Sequence, residues 1–330
     1  MISRGKNKKS LFRQIYFMNN FNYQILHLEQ HKNFAFKHSN DYSFAKQTIF
    51  VPIVLAEIHK VAIELPMFFV ANENNATNNE TNAENTENAD NKNYTLIALL
   101  SLQNNLNIMI NKAGKWNGQY VPATLRSFPF ALATISQKNN DDNIKNSLTL
   151  CIEKSYLIPP ELVETNANFK QNIIFDENKN LNEQIKKILD FLQQTEISKQ
   201  QTKNVIEILK KHNLIIPYTN NNPALKLNDL FCIDEKRFNE LSAEALKELQ
   251  NCGGLYLCYS QIVSMNNIDK LLYLLKILST QEQMQLQSQQ NKQAANINTN
   301  TNTNTNTNTN TNINTEDFFK GDTINFEGLF

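Results

Sequence analysis

Glycine is scarce in this sequence, with only seven glycines in a chain of 330 residues. Neither a Gly-x-Gly-x-x-Gly fingerprint nor a Gly-x-x-x-x-Gly-Lys-Ser/Thr loop occurs in it, so the sequence contains no recognisable phosphate-binding loop. The Gly-x-Ser-x-Gly elbow of α/β-hydrolases is missing as well. These absences give no support to a nucleotide-dependent enzyme or to a serine hydrolase of that type.

Cysteine is also rare, and its placement is uninformative for chemistry. Cys151, Cys232, Cys252 and Cys258 include no Cys-x-x-Cys pair, and no His-Glu-x-x-His motif occurs. Because zinc sites need three or four ligands at short, defined spacings, the sequence predicts no metal site, and no motif in it predicts a cofactor. The four thiols are expected to be free and buried, which fits a reducing compartment.

An excess of charge of either sign is absent too. The chain has 32 Lys and Arg residues against 32 Asp and Glu residues, so its formal net charge is zero. A neutral chain has no overall field to attract nucleic acid or an anionic membrane. No apolar run approaches the roughly 18 residues of a membrane span, and no cleavable signal pattern is present. We therefore expect a cytoplasmic protein without a transmembrane segment that does not bind nucleic acid.

What the sequence has in abundance is asparagine, concentrated in two tracts of low complexity. The first covers about residues 72–93, and the second, residues 296–314, is a nearly regular Asn-Thr alternation. Both lack the large apolar side chains whose burial offsets the entropy of ordering. We expect a flexible N-terminus at residues 1–18, and Met18 is an alternative start. One domain follows at residues 19–280, with a disordered insert at 72–93. A disordered Asn/Thr-repeat tail covers residues 281–330.

Short apolar runs separated by turn residues characterise the first half of the domain. The segment that follows Phe50 begins extended and then becomes helical, with Pro52 in its first turn and Pro66 at its end. Apolar composition and alternation predict strands at residues 67–70, 94–102, 106–110, 130–135 and 148–153. We expect these strands to form a mixed, mainly antiparallel sheet.

The second half of the domain is richer in helical patterns. Apolar periodicity predicts amphipathic helices at residues 181–194 and 198–212 and a strongly hydrophobic helix at 268–278. A short strand at 230–234 ends at a capping Asp234, and Ser242 caps a short helix that follows. Because strands and helices are mixed without strict βαβ alternation, the sequence predicts the α+β class, with helices and short strands in this half.

Two carboxylates, Glu57 and Glu64, stand seven residues apart on the predicted helix and should therefore face the same way. A buried carboxylate can act as a general base. Glu57 is the better candidate, because Leu55, Ala56 and Ile58 surround it in sequence. The simpler interpretation, and the one that we expect, is that both residues belong to a solvated polar face.

The segment 116–130 concentrates Trp116, the only tryptophan, with Tyr120, Arg126 and two prolines. An aromatic platform with a cation is suited to a ligand that carries a carboxylate or a phosphate. A structural corner is the favoured alternative, in which Arg126 pairs with a carboxylate such as Glu57 while Trp116 covers the core. The four residues form our candidate ligand-binding or structural cluster, and no catalytic residue is assigned.

Several ordered motifs resemble those of the bacterial SapC family. The opening motif is formed by residues 50–57, FVPIVLAE, together with residues 64–69, ELPMFF. The central and later motifs follow in the expected order as GKW at 114–116, YVPA at 120–123, RSFPF at 126–130, LTLCIE at 148–153, FCIDE at 231–235 and GLYLCYSQ at 254–261. The resemblance covers roughly residues 19–278, apart from the insert.

The resemblance implies a setting for the protein but no reaction. SapC-like proteins are associated with the paracrystalline surface layer of certain bacteria, and no catalytic residue comes with the family. We expect an accessory or interaction protein linked to surface-layer production, export or assembly, with surface-layer or secretion proteins as partners. The alternative is a small-molecule-binding enzyme with its site around Glu57, Trp116, Tyr120 and Arg126. A deep pocket that joins these four residues would favour the enzyme, whereas a packed corner with a separate exposed apolar patch would favour the interaction protein.

Overall fold

The computed structural model describes residues 21–38, 41–72, 92–138, 144–219, 227 and 229–298. The N-terminus at 1–18 lies outside the described residues, as do nearly all of the insert and most of the Asn/Thr repeat, so our expectations about their order remain predictions. The chain divides into two units, Met1–Leu278 and Ser279–Phe330. The candidate cluster belongs to the first unit.

Ten strands are described, and every pair that they form is antiparallel. They are β1 Tyr23–Ile25, β2 Ala35–Phe36, β3 Phe50–Pro52, β4 Met67–Asn72, β5 Asn93–Leu99, β6 Phe130–Lys138, β7 Ile144–Glu153, β8 Leu157–Ile158, β9 Ile215–Pro217 and β10 Leu230–Ile233. One sheet has the order β3-β5-β4-β10-β9, a second has the order β1-β7-β6, and β2 pairs with β8.

Ten α-helices accompany the strands in the described part of the chain. They are α1 Leu28–His31, α2 Ile58–Glu64, α3 Ala123–Arg126, α4 Pro160–Thr165, α5 Ala167–Lys170, α6 Glu183–Lys211, α7 Glu235–Asn239, α8 Ala243–Cys252, α9 Gly254–Ser264 and α10 Asn267–Asn298. The α+β class is confirmed, with antiparallel sheets mostly in the first half and helices later.

The five-stranded sheet carries the main core. Its central strands are buried along most of their length, with Met67 opposite Ala98 and Phe69 opposite Leu96 in the register of β4 and β5. Helices α6, α8, α9 and α10 add side chains such as Leu209 to this core. A second core forms where the β6–β7 hairpin meets the first half of α6, and its buried members are Phe36, Phe130, Leu150, Ile152, Ile174, Phe175, Ile185 and Leu192.

Helix α6 corrects the prediction of two separate helices. It runs without a break from Glu183 to Lys211, and Asn182, the residue before it, caps it by accepting a hydrogen bond from the Ile185 N–H. No glycine or proline interrupts residues 183–211, so nothing in the local chemistry ends the helix. The two apolar patterns reflect two cores: Ile185 lies in the second core and Leu209 in the main one.

Two further predictions about local structure were wrong. Residues 106–110 form no strand, and only Ile110 makes an isolated bridge, with Trp116. Pro52 ends β3 rather than starting a helix, and a 3-10 turn at Leu55–Glu57 leads into α2. The carbonyl oxygen of Pro52 accepts a hydrogen bond from the Thr124 hydroxyl at 2.7 Å, which is a long-range contact that local periodicity does not report.

The two predicted capping residues were confirmed. Asp234 caps α7 by accepting from the Arg237 N–H, and Ser242 caps α8 by accepting from the Ala245 N–H. All four cysteines are free as expected, but only Cys151 and Cys258 are buried, whereas Cys232 and Cys252 are partly exposed. Helix α10 begins as predicted but continues past position 280 to Asn298, so it enters the segment that we assigned to the tail. Residues 279–298 contain neither glycine nor proline, which is compatible with helix.

Candidate functional site

The two carboxylates of the opening motif lie in the core, and the expectation of a solvated polar face was wrong. Only 4% of Glu57 and 5% of Glu64 is exposed. Glu57 ends the 3-10 turn and Glu64 ends α2, so both reach the segment that connects Trp116 to α3. Backbone N–H groups of this segment meet the carboxylates and replace the water that burial removes.

Glu57 is held by three hydrogen bonds. Its Oε1 accepts from the Val54 N–H at 3.1 Å, and its Oε2 accepts from the Ala123 N–H at 2.7 Å and from the Tyr120 hydroxyl at 2.9 Å. Burial raises the pKa of the Glu57 carboxyl above its ordinary value, against the lowering effect of these hydrogen bonds and of the Arg126 charge. The carboxylate therefore fastens the 3-10 turn to the start of α3.

Tyr120 connects this buried carboxylate to the surface. Its hydroxyl oxygen accepts a 2.8 Å hydrogen bond from Nη2 of Arg126, an exposed residue. The Arg126 guanidinium carbon lies 5.0 Å from the Tyr120 ring centroid and 4.7 Å from that of Phe191, within the range of cation–π contacts. Burial, followed by the charge of Glu57, raises the pKa of the Tyr120 hydroxyl, so this hydroxyl stays protonated and can donate.

Glu64 binds the preceding part of the same segment. Its Oε1 accepts from the Gln119 N–H at 2.6 Å, and its Oε2 lies 3.5 Å from the Tyr120 N–H. A Cβ atom at Gly118 would lie 2.4 Å from Oε2 of Glu64 and 2.7 Å from Nε1 of Trp116. Only glycine fits between the carboxylate and the indole.

Trp116 packs against the main core and makes an edge contact with the Tyr42 ring. Its Nε1 is buried and has no hydrogen-bond partner among the described residues. An unsatisfied buried N–H costs about 1–3 kcal/mol. Of the four candidate residues, the structure joins Glu57, Tyr120 and Arg126 in one hydrogen-bonded chain, and it places Trp116 beside Glu64.

The 3-10 turn, the two carboxylates and the segment from Trp116 to α3 form a packed corner. Sequence reasoning missed Ser198 and Thr202, which join helix α6 to this corner. Oγ1 of Thr202 accepts from the Leu55 N–H at 2.8 Å, and Oγ of Ser198 accepts from the Ala56 N–H at 3.0 Å. Both side chains are buried and stand four residues apart, so they lie on one face of the helix. The sequence did contain a signal for this contact, because the two small hydroxyl residues stand on the apolar side of an amphipathic helical pattern.

The corner is therefore closed by its own chain. An open cavity of about 860 Å³ lies elsewhere, at the C-terminal end of α6 and beside α7 and α8. Its lining includes Lys211, His212 and Glu248 but none of the four candidate residues. Glu248 accepts hydrogen bonds from both of those neighbours, which lower the pKa of its carboxyl.

Two further properties concern the described residues alone. No three or more His, Cys, Asp or Glu side chains converge there in a way that could hold a metal ion. Within the same part of the chain, no helix has both the length and the apolar character needed to cross a membrane.

The motifs that resemble SapC meet in this structure, and the comparison with protein families agrees. The SapC family model matches residues 26–271 of the chain. The chain belongs to the SapC family. No curated protein and no solved structure matches it.

Hydrogen bonds from polar side chains connect the SapC motifs to one another within the chain. Gln261 of the last motif accepts from the Ile233 N–H at 3.1 Å and donates to the Met67 carbonyl at 2.9 Å, which ties helix α9 to two neighbouring strands. Glu57 and Glu64 tie the opening motif to the central one. In this SapC protein the motif residues therefore form the framework of the fold, with many of their polar atoms directed inward.

Proposed function

We propose that this SapC protein is a non-enzymatic accessory or interaction protein linked to surface-layer production, export or assembly. Its partners are surface-layer or secretion proteins, and it acts from the cytoplasm. Membership of the family supports this setting. The closed corner supports the non-enzymatic role, because a general base must reach the proton that it abstracts.

One observation carries the proposal. Every carboxylate oxygen of Glu57 and Glu64 faces a hydrogen-bond donor of the chain itself, and both residues are almost completely buried. The open cavity beside α7 and α8 includes none of the four candidate residues in its lining. Large apolar side chains such as Ile63 are instead exposed on helices, and grouped exposed apolar residues are typical of protein-binding surfaces.

The proposal is tested by affinity purification of the tagged full-length chain from its native host after fractionation. We expect surface-layer or secretion components in the eluate from the cytoplasmic fraction. The control is the untagged chain taken through the same steps, whose eluate should contain none of these components. Consistent absence of such components, together with a co-purifying metabolite seen by native mass spectrometry, would contradict the proposal.

The enzyme alternative retains two supporting observations. Burial raises the pKa of Glu57, as is common for general acids and bases, and Trp116 Nε1 is a buried donor without a partner among the described residues. A small molecule that reached the corner would change the environment of Trp116, so a metabolite screen that follows tryptophan fluorescence tests this alternative. Saturable changes that Tyr120→Phe and Arg126→Ala abolish would favour the enzyme.

A further inference from the structure

The three hydrogen-bond partners of Glu57 differ in the roles that they can take. Val54 and Ala123 meet the carboxylate with backbone N–H groups at 3.1 and 2.7 Å, and an N–H group only donates. Tyr120 meets it with a hydroxyl at 2.9 Å, and a hydroxyl can either donate or accept. Of the three partners, only the Tyr120 hydroxyl can therefore change its role when the charge of Glu57 changes.

Protonation of Glu57 places a hydrogen inside the corner, and this hydrogen needs an acceptor. Only 4% of Glu57 is exposed, and a buried donor without an acceptor costs the full desolvation of that group. The Tyr120 oxygen is the acceptor within reach of Oε2. The hydrogen bond therefore reverses, so that the carboxyl donates and the hydroxyl accepts. The proton comes from solvent, and no other covalent bond forms or breaks.

Arg126 depends on the same hydroxyl. Its Nη2 donates to the Tyr120 oxygen at 2.8 Å, and within the part of the chain that the structure describes it forms no direct ion pair. A phenol keeps its hydrogen in the plane of the ring, which leaves two positions for it on the oxygen. When the Glu57 carboxyl donates into one position, the hydrogen turns to the other, where Arg126 donates. Two donors then face each other, and the hydrogen bond from Arg126 is lost.

Electrostatic attraction works in the same direction. Burial raises the pKa of the Glu57 carboxyl, and the charge of Arg126 opposes that rise. The interaction is mutual, so the ionised carboxylate attracts the guanidinium and the neutral carboxyl does not. Because burial disfavours the charged form, Glu57 takes up its proton at a higher pH than an exposed glutamate does. Protonation thus removes the charge that draws Arg126 toward the corner.

Other polar groups surround this hydroxyl. The Lys60 ammonium lies 5.4 Å from the Tyr120 ring centroid. Glu64 accepts from backbone N–H groups of the same segment. Helix α6 faces the 3-10 turn with the uncharged hydroxyls of Ser198 and Thr202, which accept from backbone N–H groups. Each of these groups has a contact of its own, so Tyr120 remains the acceptor for the buried carboxyl.

We propose that Tyr120 is a proton-operated switch between the buried acid and the surface. With Glu57 ionised, its hydroxyl donates to the carboxylate and holds Arg126. With Glu57 protonated, the hydroxyl accepts from the carboxyl and releases Arg126. The guanidinium is then held only by the rings of Tyr120 and Phe191, whose centroids lie 5.0 and 4.7 Å from its central carbon. A fall in pH thereby frees an exposed cation of the central SapC motif, whether or not the proposed interaction role holds.

NMR of the arginine side chains tests the switch, because the full-length chain contains only four arginines. We expect the heteronuclear NOE of the Arg126 Nε to fall between about pH 8 and pH 4, with the midpoint of the Glu57 carboxyl carbon shift. Arg237 on α7 is the control, and its NOE should not share that midpoint. The two signals are identified by their loss in Arg126→Lys and Glu57→Gln.

Tyr120→Phe separates the switch from the direct effect of the Glu57 charge. The variant keeps the ring beside Arg126 but lacks the hydroxyl, so Glu57 should still titrate while the Arg126 NOE stays constant. A wild-type NOE that stays constant while Glu57 titrates would overturn the inference. An NOE that still follows Glu57 in Tyr120→Phe would overturn it too, as would a Glu57 that remains ionised down to about pH 4.

Discussion

The Tyr120 hydroxyl donates a 2.9 Å hydrogen bond to Oε2 of Glu57, a residue with only 4% of its surface exposed. Through this bond, a carboxylate of the opening SapC motif holds an aromatic residue of the central motif. The same hydroxyl accepts from Arg126 at the surface. A buried acid, a bridging phenol and an exposed guanidinium therefore form one chain that fixes the corner.

Replacing Glu57 by alanine should destabilise the fold. The change leaves the Val54 and Ala123 N–H groups and the Tyr120 hydroxyl without their acceptor, and we expect a loss of about 2–4 kcal/mol in the free energy of unfolding. Urea denaturation followed by tryptophan fluorescence measures it. Glu164→Ala, at an exposed position on α4, is the control and should change the stability by less than about 0.5 kcal/mol. Equal effects of the two substitutions would contradict a role for Glu57 in holding the corner.

The contribution of Glu57 to stability should fall as the pH rises. Burial raises its folded-state pKa above the ordinary 4.5, so the folded chain binds this proton more tightly than the unfolded chain does. The contribution is fully present below about pH 4.5 and is lost as the pH rises through the raised pKa. Glu57→Gln removes the titration, so the stability of the wild type minus that of the variant should decrease between about pH 4 and pH 8. A difference that grows with pH would show a depressed pKa instead.

Gly118→Ala should destabilise the corner by about 1–3 kcal/mol, because the new methyl group would overlap Oε2 of Glu64 and Nε1 of Trp116. In a Glu64→Ala background one of these overlaps disappears. The same substitution should therefore cost less there, as a double-mutant cycle would detect. Since Trp116 is the only tryptophan, its fluorescence reports directly on this position. Additive effects of the two substitutions would rule out the close approach.

Thr202→Val should cost about 1–3 kcal/mol, because it leaves the Leu55 N–H without an acceptor where helix α6 meets the 3-10 turn. Thr195→Val is a matched control on the same helix. Both hydroxyls donate to the carbonyl four residues before them, but among the described residues only Thr202 also accepts from another element. The two unfolding free energies are compared by chemical denaturation. A cost for Thr195→Val as large as that for Thr202→Val would mean that the contact with Leu55 contributes nothing.

Local patterns predicted those elements whose cause is local. Strands such as β4 and β10 are short apolar runs, and the caps Asp234 and Ser242 act on N–H groups within three residues. The candidate residues were found because Trp116, Tyr120 and Arg126 are concentrated in one short segment. Ser198 and Thr202, which bind the N–H groups of Ala56 and Leu55 in the 3-10 turn, lie more than 140 residues away from that turn in sequence, and no local pattern connects them.

By itself the sequence determined the α+β class, most of the strands, the capping residues and the family, because apolar periodicity, capping chemistry and ordered motifs are all written along the chain. Only the tertiary structure decided that Glu57 and Glu64 are buried, that α6 is one helix, and that the apolar residues Tyr256, Tyr259 and Val263 of α9 face solvent. The physical reason is that a carboxylate is predicted to be exposed from sequence, and only a distant segment that supplies N–H donors allows it to be buried. Whether an apolar side chain is covered likewise depends on what packs over it.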